Sequence, residues 1–216
     1  MPAPKRDPTL YTIGHSTRTL EDFISLLQAF GVGRVVDVRT VPKSRRVPWF
    51  NKETLPGALR ARGILYTHLA SLGGLRHAKK DSSNGGWRNA SFRGYADYMA
   101  TPSFALGVKA LDRLRAKRRV AIMCAEAVPW RCHRSMIADA EVARGVAVMH
   151  IMSPTRANPH KMTSFANVDK LRRPPLVRYP PYDDPVMRTS RRIHDRAREE
   201  GSAGDDRVHA ERPRAR

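Results

Sequence analysis

The sequence has only two cysteines in 216 residues, Cys124 and Cys132. So few thiols exclude the disulfide framework on which small secreted domains depend. Aromatic residues are scarce at 7%, and no apolar run approaches the roughly 20 residues that span a bilayer. The polar segment from Met1 to Asp7 has no apolar stretch of signal-peptide type after it. We therefore expect a cytoplasmic protein with no membrane partner.

Acidic residues are also in short supply. The chain has 40 Lys and Arg against 20 Asp and Glu, a net charge of +20. Residues 1–168 hold 27 basic and 11 acidic side chains, whereas residues 169–216 hold 13 and 9, so most of the excess lies in the body of the protein. Such a field attracts anionic small molecules, nucleotides and nucleic acid. A codon-biased, arginine-rich genome would give the same composition, so nucleic acid stays a possible partner only.

Five short apolar runs alternate with helical patterns along the chain. Thr19, with Asp22 three residues later, is typical of a helix N-cap after the first run. Alternation at this spacing predicts right-handed βαβ units. We expect an α/β fold in three layers, Rossmann-like, with a mainly parallel five-stranded sheet and flanking helices. The five predicted strands are residues 10–13, 35–38, 64–69, 120–123 and 146–151.

The composition changes toward the C-terminus, where prolines and alternating charges replace apolar residues. We predict one α/β domain over residues 9–168 and a short N-terminal extension over residues 1–8. A proline-rich extension over 169–187 is expected to pack on the domain. The charged segment 188–216 offers almost no apolar surface and is expected to be disordered.

Polar side chains follow each predicted strand. Ligands of a parallel sheet bind beyond the carboxyl ends of its strands, so these side chains are candidates for one site. As candidate substrate-binding residues we take Ser16, Asp37, Arg39, Arg45, Asn51, Gly74, Arg76, Arg131, Cys132, His133, Arg134 and His160. His15, Cys124 and Glu126 are the candidate catalytic residues.

Cys124 stands at a predicted strand end, ahead of a loop and a helix that starts near Arg131 and Arg134. Helix-terminal amides and a guanidinium lower the pKa of a nearby thiol and bind anions, so Cys124 is a candidate nucleophile. The alternative is a small residue buried at the strand end. The loop departs from phosphatase and rhodanese cradles, because Arg131 comes seven positions after Cys124 and the loop has no glycine.

Glu126 is a candidate general base or a nucleophile toward a sugar carbon, near His15. It could equally pair with Arg131 or Arg134. A zinc site from Cys124, Cys132, His133 and His15 is a third possibility, but the spacing matches zinc knuckles poorly. No metal and no cofactor are predicted.

Seven motifs resemble the family catalogued as domain of unknown function 488. They are Y-T-I-G-H-S at 11–16, V-D-V-R at 36–39, S-R-R-V-P-W-F-N at 44–51, L-G-G-L-R at 72–76, G-Y-A-D-Y-M at 94–99, M-C-A-E-A-V-P-W-R-C-H-R-S at 123–135 and P-H-K-M-T at 159–163. The resemblance covers residues 10–180 and implies an α/β fold with a shared cluster of polar groups. It implies no activity.

Three hypotheses of function follow. The first is an enzyme, a hydrolase or transferase, that acts on an anionic, phosphate-bearing or nucleotide-like substrate at the carboxyl edge of the sheet. The second is a non-catalytic module that binds a nucleotide or nucleic acid through the same edge. The third is a thiol redox or metal-binding protein. The sequence gives no oligomeric state.

Overall fold

The structure is a computed structural model that describes residues 9–181. Within this range the helices are α1 (Leu20–Ala29), α2 (Leu55–Arg60), α3 (Ala90–Met99), α4 (Pro102–Arg115) and α5 (Arg134–Ala143). The strands are β1 (Leu10–Gly14), β2 (Arg34–Asp37), β3 (Leu65–His68), β4 (Val120–Cys124), β5 (Val148–Ser153), β6 (Arg156–Pro159), β7 (Asn167–Asp169) and β8 (Leu176–Arg178). None of these helices has the length and hydropathy that a transmembrane helix needs.

Six strands form the main sheet, in the order β3-β2-β4-β1-β5-β6. The first five in this order run parallel, and β6 pairs antiparallel with β5 at the edge. The predicted α/β fold with a mainly parallel sheet is thus confirmed. The sixth strand is not apparent in the sequence, because Arg156–Pro159 lacks apolar alternation and ends in a proline that only an edge strand tolerates.

A second, two-stranded sheet pairs β7 with β8. Its strand β8 lies in the proline-rich extension, and Leu176, Val177 and Tyr179 there are buried. This part of the extension therefore packs on the domain. The predicted extension over residues 1–8 and the predicted charged tail over residues 188–216 lie outside the described residues.

The sheet is buried on both faces, as expected for parallel strands. One face carries α3, α4 and α5, whose residues Tyr95, Leu111 and Met136 pack with Val36 and Ile122 of the strands. The other face carries α1 and α2, as the second core cluster shows. That cluster contains Phe23, Leu27, Leu55, Leu59, Val35, Ala121 and Met123.

Helix α1 begins where the sequence predicts. The Thr19 hydroxyl accepts a hydrogen bond from the Asp22 backbone N–H at 3.1 Å, so the N-cap is confirmed. Helix α4 begins in the same way, since Thr101 accepts from the Phe104 N–H and Pro102 occupies the first turn, where its missing N–H costs nothing. Local side chains thus set where these helices start.

The connections that leave the adjacent strands β1 and β4 run in opposite directions across the sheet. From β1 the chain runs through α1 to β2, on the α1 face. From β4 it runs through α5 to β5 on the opposite side of β1, and α5 packs on the opposite face. Adjacent strands whose connections diverge in this way leave a crevice at their carboxyl ends, where open α/β sheets bind ligands. The β1–β4 switch point is therefore the place to look for a site.

Candidate functional site

The ends of β1 and β4 lie side by side, with Gly14 opposite Cys124. The loops that follow stay in contact, because the His15 N–H donates to the Cys124 carbonyl and the Ser16 N–H to the Ala125 carbonyl. A Cβ on Gly14 would lie 1.8 Å from the Glu126 carbonyl oxygen. Only glycine allows the two loops to approach this closely, and the approach brings His15 and Cys124 to one crevice.

Three of the predicted residues lie in a closed group that we call the Arg39 cluster, formed by His15, Asp37, Arg39 and Tyr66. Both Asp37 oxygens accept from the Arg39 guanidinium, at 2.6 to 3.1 Å. The Asp37 carboxylate also accepts from the Tyr66 hydroxyl at 2.7 Å. Arg39 donates further to the Phe50 carbonyl at 2.7 Å. Buried charges are therefore paired and hydrogen-bonded throughout this cluster.

His15 has its proton position fixed by its neighbours. Arginine nitrogens only donate, so His15 Nε2 accepts from Arg39 Nη1 at 3.2 Å. Nδ1 then carries the proton and donates to the Ser16 carbonyl at 2.9 Å. The ring is 3% exposed and stacks on Phe50. Burial lowers the pKa of His15 to about 4, even though the Ser16 bond opposes that shift. His15 is a neutral positioning group at physiological pH.

A second group, which we call the thiol cluster, consists of Cys124, Cys132, His133 and Arg134. The two sulfur atoms are 2.8 Å apart, and the Cys132 S–H donates a hydrogen bond to the Cys124 sulfur. Burial by itself raises the pKa of Cys124, but the Cys132 hydrogen bond and the Arg134 charge outweigh burial and lower that pKa below its ordinary value. The hydrogen bond to Cys124, with burial, raises the pKa of Cys132. The pKa of Cys124 thus lies below that of an ordinary cysteine thiol, and the pKa of Cys132 lies above it.

Arg134 carries a buried charge without an acidic partner. The residue is 1% exposed, and its Nη2 donates to the Ala127 carbonyl at 3.2 Å. Its Nε and Nη1 have no hydrogen-bond partner among residues 9–181. A second guanidinium, Arg18, lies near enough that the Arg134 charge, after burial, lowers the Arg18 pKa. Because an isolated buried cation is costly, this position calls for negative charge.

His133 connects the thiol cluster to the strand β2 side of the edge. Its Nε2 donates to the Val38 carbonyl at 2.9 Å, and its Nδ1 lies 3.5 Å from the Cys132 sulfur. Burial lowers the pKa of His133 to about 4. A Cβ on Gly74 would lie 3.0 Å from the same Nδ1, so this predicted glycine makes room for the imidazole.

The remaining predicted residues have varied placements. Glu126, Arg131 and Arg45 are exposed. Asn51 is half-buried and its side-chain Oδ1 accepts from the Ser44 N–H, so Asn51 fixes the loop after β2. Arg76 donates to the Gly73 carbonyl and lies 3.7 Å above the Tyr98 ring. These side chains stand around the edge of the sheet rather than in the thiol cluster.

The geometry of the Cys124 loop supports neither a phosphate cradle nor a zinc site. The Cys124 sulfur faces the Glu126 carbonyl oxygen at 3.7 Å, whereas a phosphate cradle would present backbone N–H groups to an anion. Within residues 9–181 no three His, Cys, Asp or Glu side chains are grouped so that they could hold a metal ion. His15 and His133 are held by other partners, so the four candidate zinc ligands do not converge.

His160 belongs to a different group, a buried chain that sequence reasoning does not reveal. Thr12 hydrogen-bonds His150 at 2.7 Å, His150 bonds His160 at 2.9 Å, and His160 donates to Asp139 at 2.8 Å. Asp139 also accepts from Tyr179. Every member is paired, so this chain fastens the C-terminal segment to α5. A polar His150 within the apolar fifth strand is the one signal of it in the sequence.

The geometry can be set beside known families. The model of the family described as "Domain of unknown function DUF488" matches residues 19–141, more than half of the chain. The chain belongs to the DUF488 family. The match spans the Arg39 and thiol clusters apart from His15, and so includes both cysteines and Arg134. The comparison with curated proteins and the comparison with solved structures found no match.

Proposed function

We propose that this DUF488 protein is an enzyme that acts on a small anionic substrate at the β1–β4 switch point, with Cys124 as its nucleophile. The observation that carries the proposal is the buried Arg134 guanidinium near the two thiols, whose Nε and Nη1 have no hydrogen-bond partner within residues 9–181. Natural proteins seldom leave such a cation uncompensated unless a ligand or an ionised side chain completes the charge balance.

The charges of the crevice support an anionic substrate. Arg134 and Arg18 contribute two positive charges, and a Cys124 thiolate would neutralise one of them. Arg39 adds nothing to this balance because Asp37 already pairs with it. A phosphate or carboxylate group of the substrate would bind these two guanidinium groups. The exposed Glu126 side chain forms no ion pair within residues 9–181 and stays available as a general acid or base.

Each residue then has a role. Cys132 donates its hydrogen bond to Cys124 and keeps that sulfur ionised and oriented. Arg134 stabilises the thiolate, and Arg18, whose Nη1 donates to the Gly14 carbonyl at 2.6 Å, faces the incoming anion. Attack of the Cys124 thiolate on an electrophilic carbon or phosphorus would break the bond to the leaving group, which takes a proton from Glu126, and would leave a covalent intermediate. Water or an acceptor then attacks the same atom, breaks its bond to sulfur and releases the thiolate. Hydrolases and transferases share this step.

Matched ligands test the proposal. Nucleoside monophosphates and the corresponding nucleosides differ only in the anionic group, so we expect the phosphates to raise the melting temperature and the nucleosides to have no effect. The C124S variant should keep this stabilisation and lose conversion of the ligand, as followed by chromatography. Equal stabilisation by both ligand sets, or full conversion by C124S, would refute the proposal.

A second function is favoured by a separate observation. Trp130 is 67% exposed beside Arg131, and Leu75 and Val41, on the loops after β3 and β2, are 77% and 61% exposed. An exposed aromatic ring among basic side chains is how proteins stack single-stranded nucleic acid. A non-catalytic module would bind nucleic acid through these exposed side chains. A W130A variant should then lose affinity for a labelled single-stranded oligonucleotide, while C124S should bind it unchanged.

A further inference from the structure

The two cysteines are arranged for reaction with each other. Cys124 ends β4 and Cys132 precedes α5, and a seven-residue loop returns the chain so that the sulfurs are 2.8 Å apart. A disulfide needs about 2.05 Å between its sulfurs, so bond formation requires a sulfur movement below about 1 Å. Both thiols are free in this structure.

The pair is also chemically asymmetric. Arg134 and the Cys132 proton stabilise negative charge on Cys124, whereas Cys132 keeps its own proton. A thiolate is the form that attacks an oxidant. Reactive cysteines of redox sites have this combination of an ionised thiol with a nearby resolving thiol. Arg134 is 1% exposed and has two unpartnered nitrogens, which makes it an independent sign that negative charge belongs here.

Accessibility limits the kind of oxidant. Cys124 is 2% exposed and Cys132 is 6% exposed, so a small oxidant reaches either sulfur more readily than a bulky disulfide such as oxidised glutathione. A small neutral molecule has only to pass the loop after β4, whose Ala125 and Glu126 lie at the surface. Hydrogen peroxide fits this requirement.

We propose that hydrogen peroxide oxidises Cys124 and Cys132 to an intramolecular disulfide, which makes the pair a modification site for small peroxides. The Cys124 thiolate attacks one peroxide oxygen, the O–O bond breaks, and hydroxide leaves as Cys124 becomes a sulfenic acid. The Cys132 sulfur then attacks the Cys124 sulfur. The S–O bond breaks, and the departing hydroxide takes the Cys132 proton as water. The first hydroxide takes up the proton that Cys124 released on ionisation, so two thiols are oxidised and one peroxide is reduced to two waters.

The disulfide would remove the negative charge that balances Arg134. It would also consume the nucleophile, so oxidation would switch off catalysis. That consequence for activity rests on the proposed function, whereas formation of the disulfide does not. A thiol reductant would restore both thiols.

Intact mass spectrometry of the full chain tests the proposal, because the chain has no other cysteine. After treatment of the reduced protein with hydrogen peroxide, we expect a mass loss of two hydrogens and one peptide pair linked through Cys124 and Cys132. The C132S variant should stop at a Cys124 sulfenic acid that dimedone traps. The C124S variant should form neither product.

Variants of Arg134 test what sets the rate of disulfide formation. R134M should slow disulfide formation at neutral pH by roughly tenfold, the change in thiolate fraction for about one pKa unit. R134K keeps the charge and should stay near the wild-type rate, and circular dichroism checks that both variants fold. Oxidation of Cys124 to a sulfinic acid with Cys132 intact, or a disulfide between two chains, would overturn the proposal. None of these readouts measures turnover, so nucleotide binding and conversion can fail while the disulfide forms, and the reverse.

Discussion

Two buried arginines at the same edge of the sheet differ in the partners of their guanidinium groups. Arg39 is 7% exposed and pairs with Asp37 through two carboxylate oxygens, with a carbonyl and an imidazole as further partners. Arg134 is 1% exposed, and among the described residues 9–181 its guanidinium donates one hydrogen bond, to a carbonyl. Burial and residue type are alike, so the difference lies in the negative charge. The protein supplies that charge to Arg39, and we propose that a thiolate or a ligand supplies it at Arg134.

This difference separates a structural cluster from a reactive one. A fully paired network holds its side chains in one arrangement and resists change. A cation with open hydrogen-bonding positions beside an ionisable thiol favours the charged form of that thiol. Perturbed groups in a crevice are typical of functional sites. We therefore assign the Arg39 cluster to support the loops, and the thiol cluster to chemistry.

The largest expected loss of stability comes from removing the negative charge of the Arg39 cluster. D37N leaves the Arg39 guanidinium buried without its anion, and breaking a buried ion pair in this way costs about 3–5 kcal/mol. We expect urea denaturation to show a loss of unfolding free energy of that size. A loss below about 1 kcal/mol would mean that Asp37 and Arg39 contribute no more than a surface pair.

R134M is the matched change in the other cluster. Methionine fills similar space and removes a charge that no carboxylate balances, so the unfolding free energy should change by less than about 1.5 kcal/mol or should rise. The same urea measurement decides this. A loss as large as that of D37N would show that Arg134 has a strong protein partner, and the contrast between the clusters would disappear.

Acid should weaken the Arg39 cluster through His15. The folded pKa of about 4 lies below the usual 6.5, so the unfolded chain takes up a proton first as the pH falls. Stability from neutral His15 is complete above pH 6.5 and declines toward pH 4, by on the order of 3 kcal/mol. Glu141 has the opposite effect on stability. Burial raises its pKa to about 7, so its protonation as the pH falls favours the folded state.

A variant separates the two contributions. Stability curves for H15N and the wild type should differ most above pH 6.5 and converge toward pH 4, while the Glu141 contribution cancels in the comparison. Parallel curves across this interval would mean that His15 is not neutral and buried as the structure has it.

The smallest effect is expected outside both clusters. Arg45 and Arg46 are exposed, so the double variant R45A/R46A should change the unfolding free energy by less than about 0.5 kcal/mol. If Arg45 and Arg46 contact polyanions, this variant should weaken oligonucleotide binding at low salt and reduce the salt dependence of that binding, as expected for lost phosphate contacts. Unchanged affinity would leave the positive charge without a role in binding.

The sequence predicts most of the fold because apolar runs and helix caps are local signals. The parallel strands, the Thr19 cap and the Pro102 start follow from such signals. The edge strand β6 and the β7–β8 hairpin depend on tertiary pairing, which short polar segments do not encode visibly.

The site is less predictable than the fold. Spacing brings His15, Arg39 and Cys124 to one edge, but it does not tell which arginine has an anion. Asp37 is a candidate substrate-binding residue in the sequence, yet in the structure it neutralises Arg39. Arg131 and Arg134 are equal candidates in the sequence, and only the structure shows that Arg134, the first residue of α5, is buried whereas Arg131, ahead of that helix, is exposed. Pairing of charges depends on side-chain direction.

Titration of the thiols tests the central claim most directly. Ultraviolet absorbance of the thiolate, followed against pH, should show one cysteine ionising below the ordinary thiol range and the other only well above it. R134M should raise the lower pKa by about one unit. R131A removes an exposed charge from the same loop and should leave that pKa unchanged. Two thiols that ionise together in the ordinary range, or an equal response to R131A and R134M, would contradict the assignment of Arg134 and Cys124 as a reactive pair.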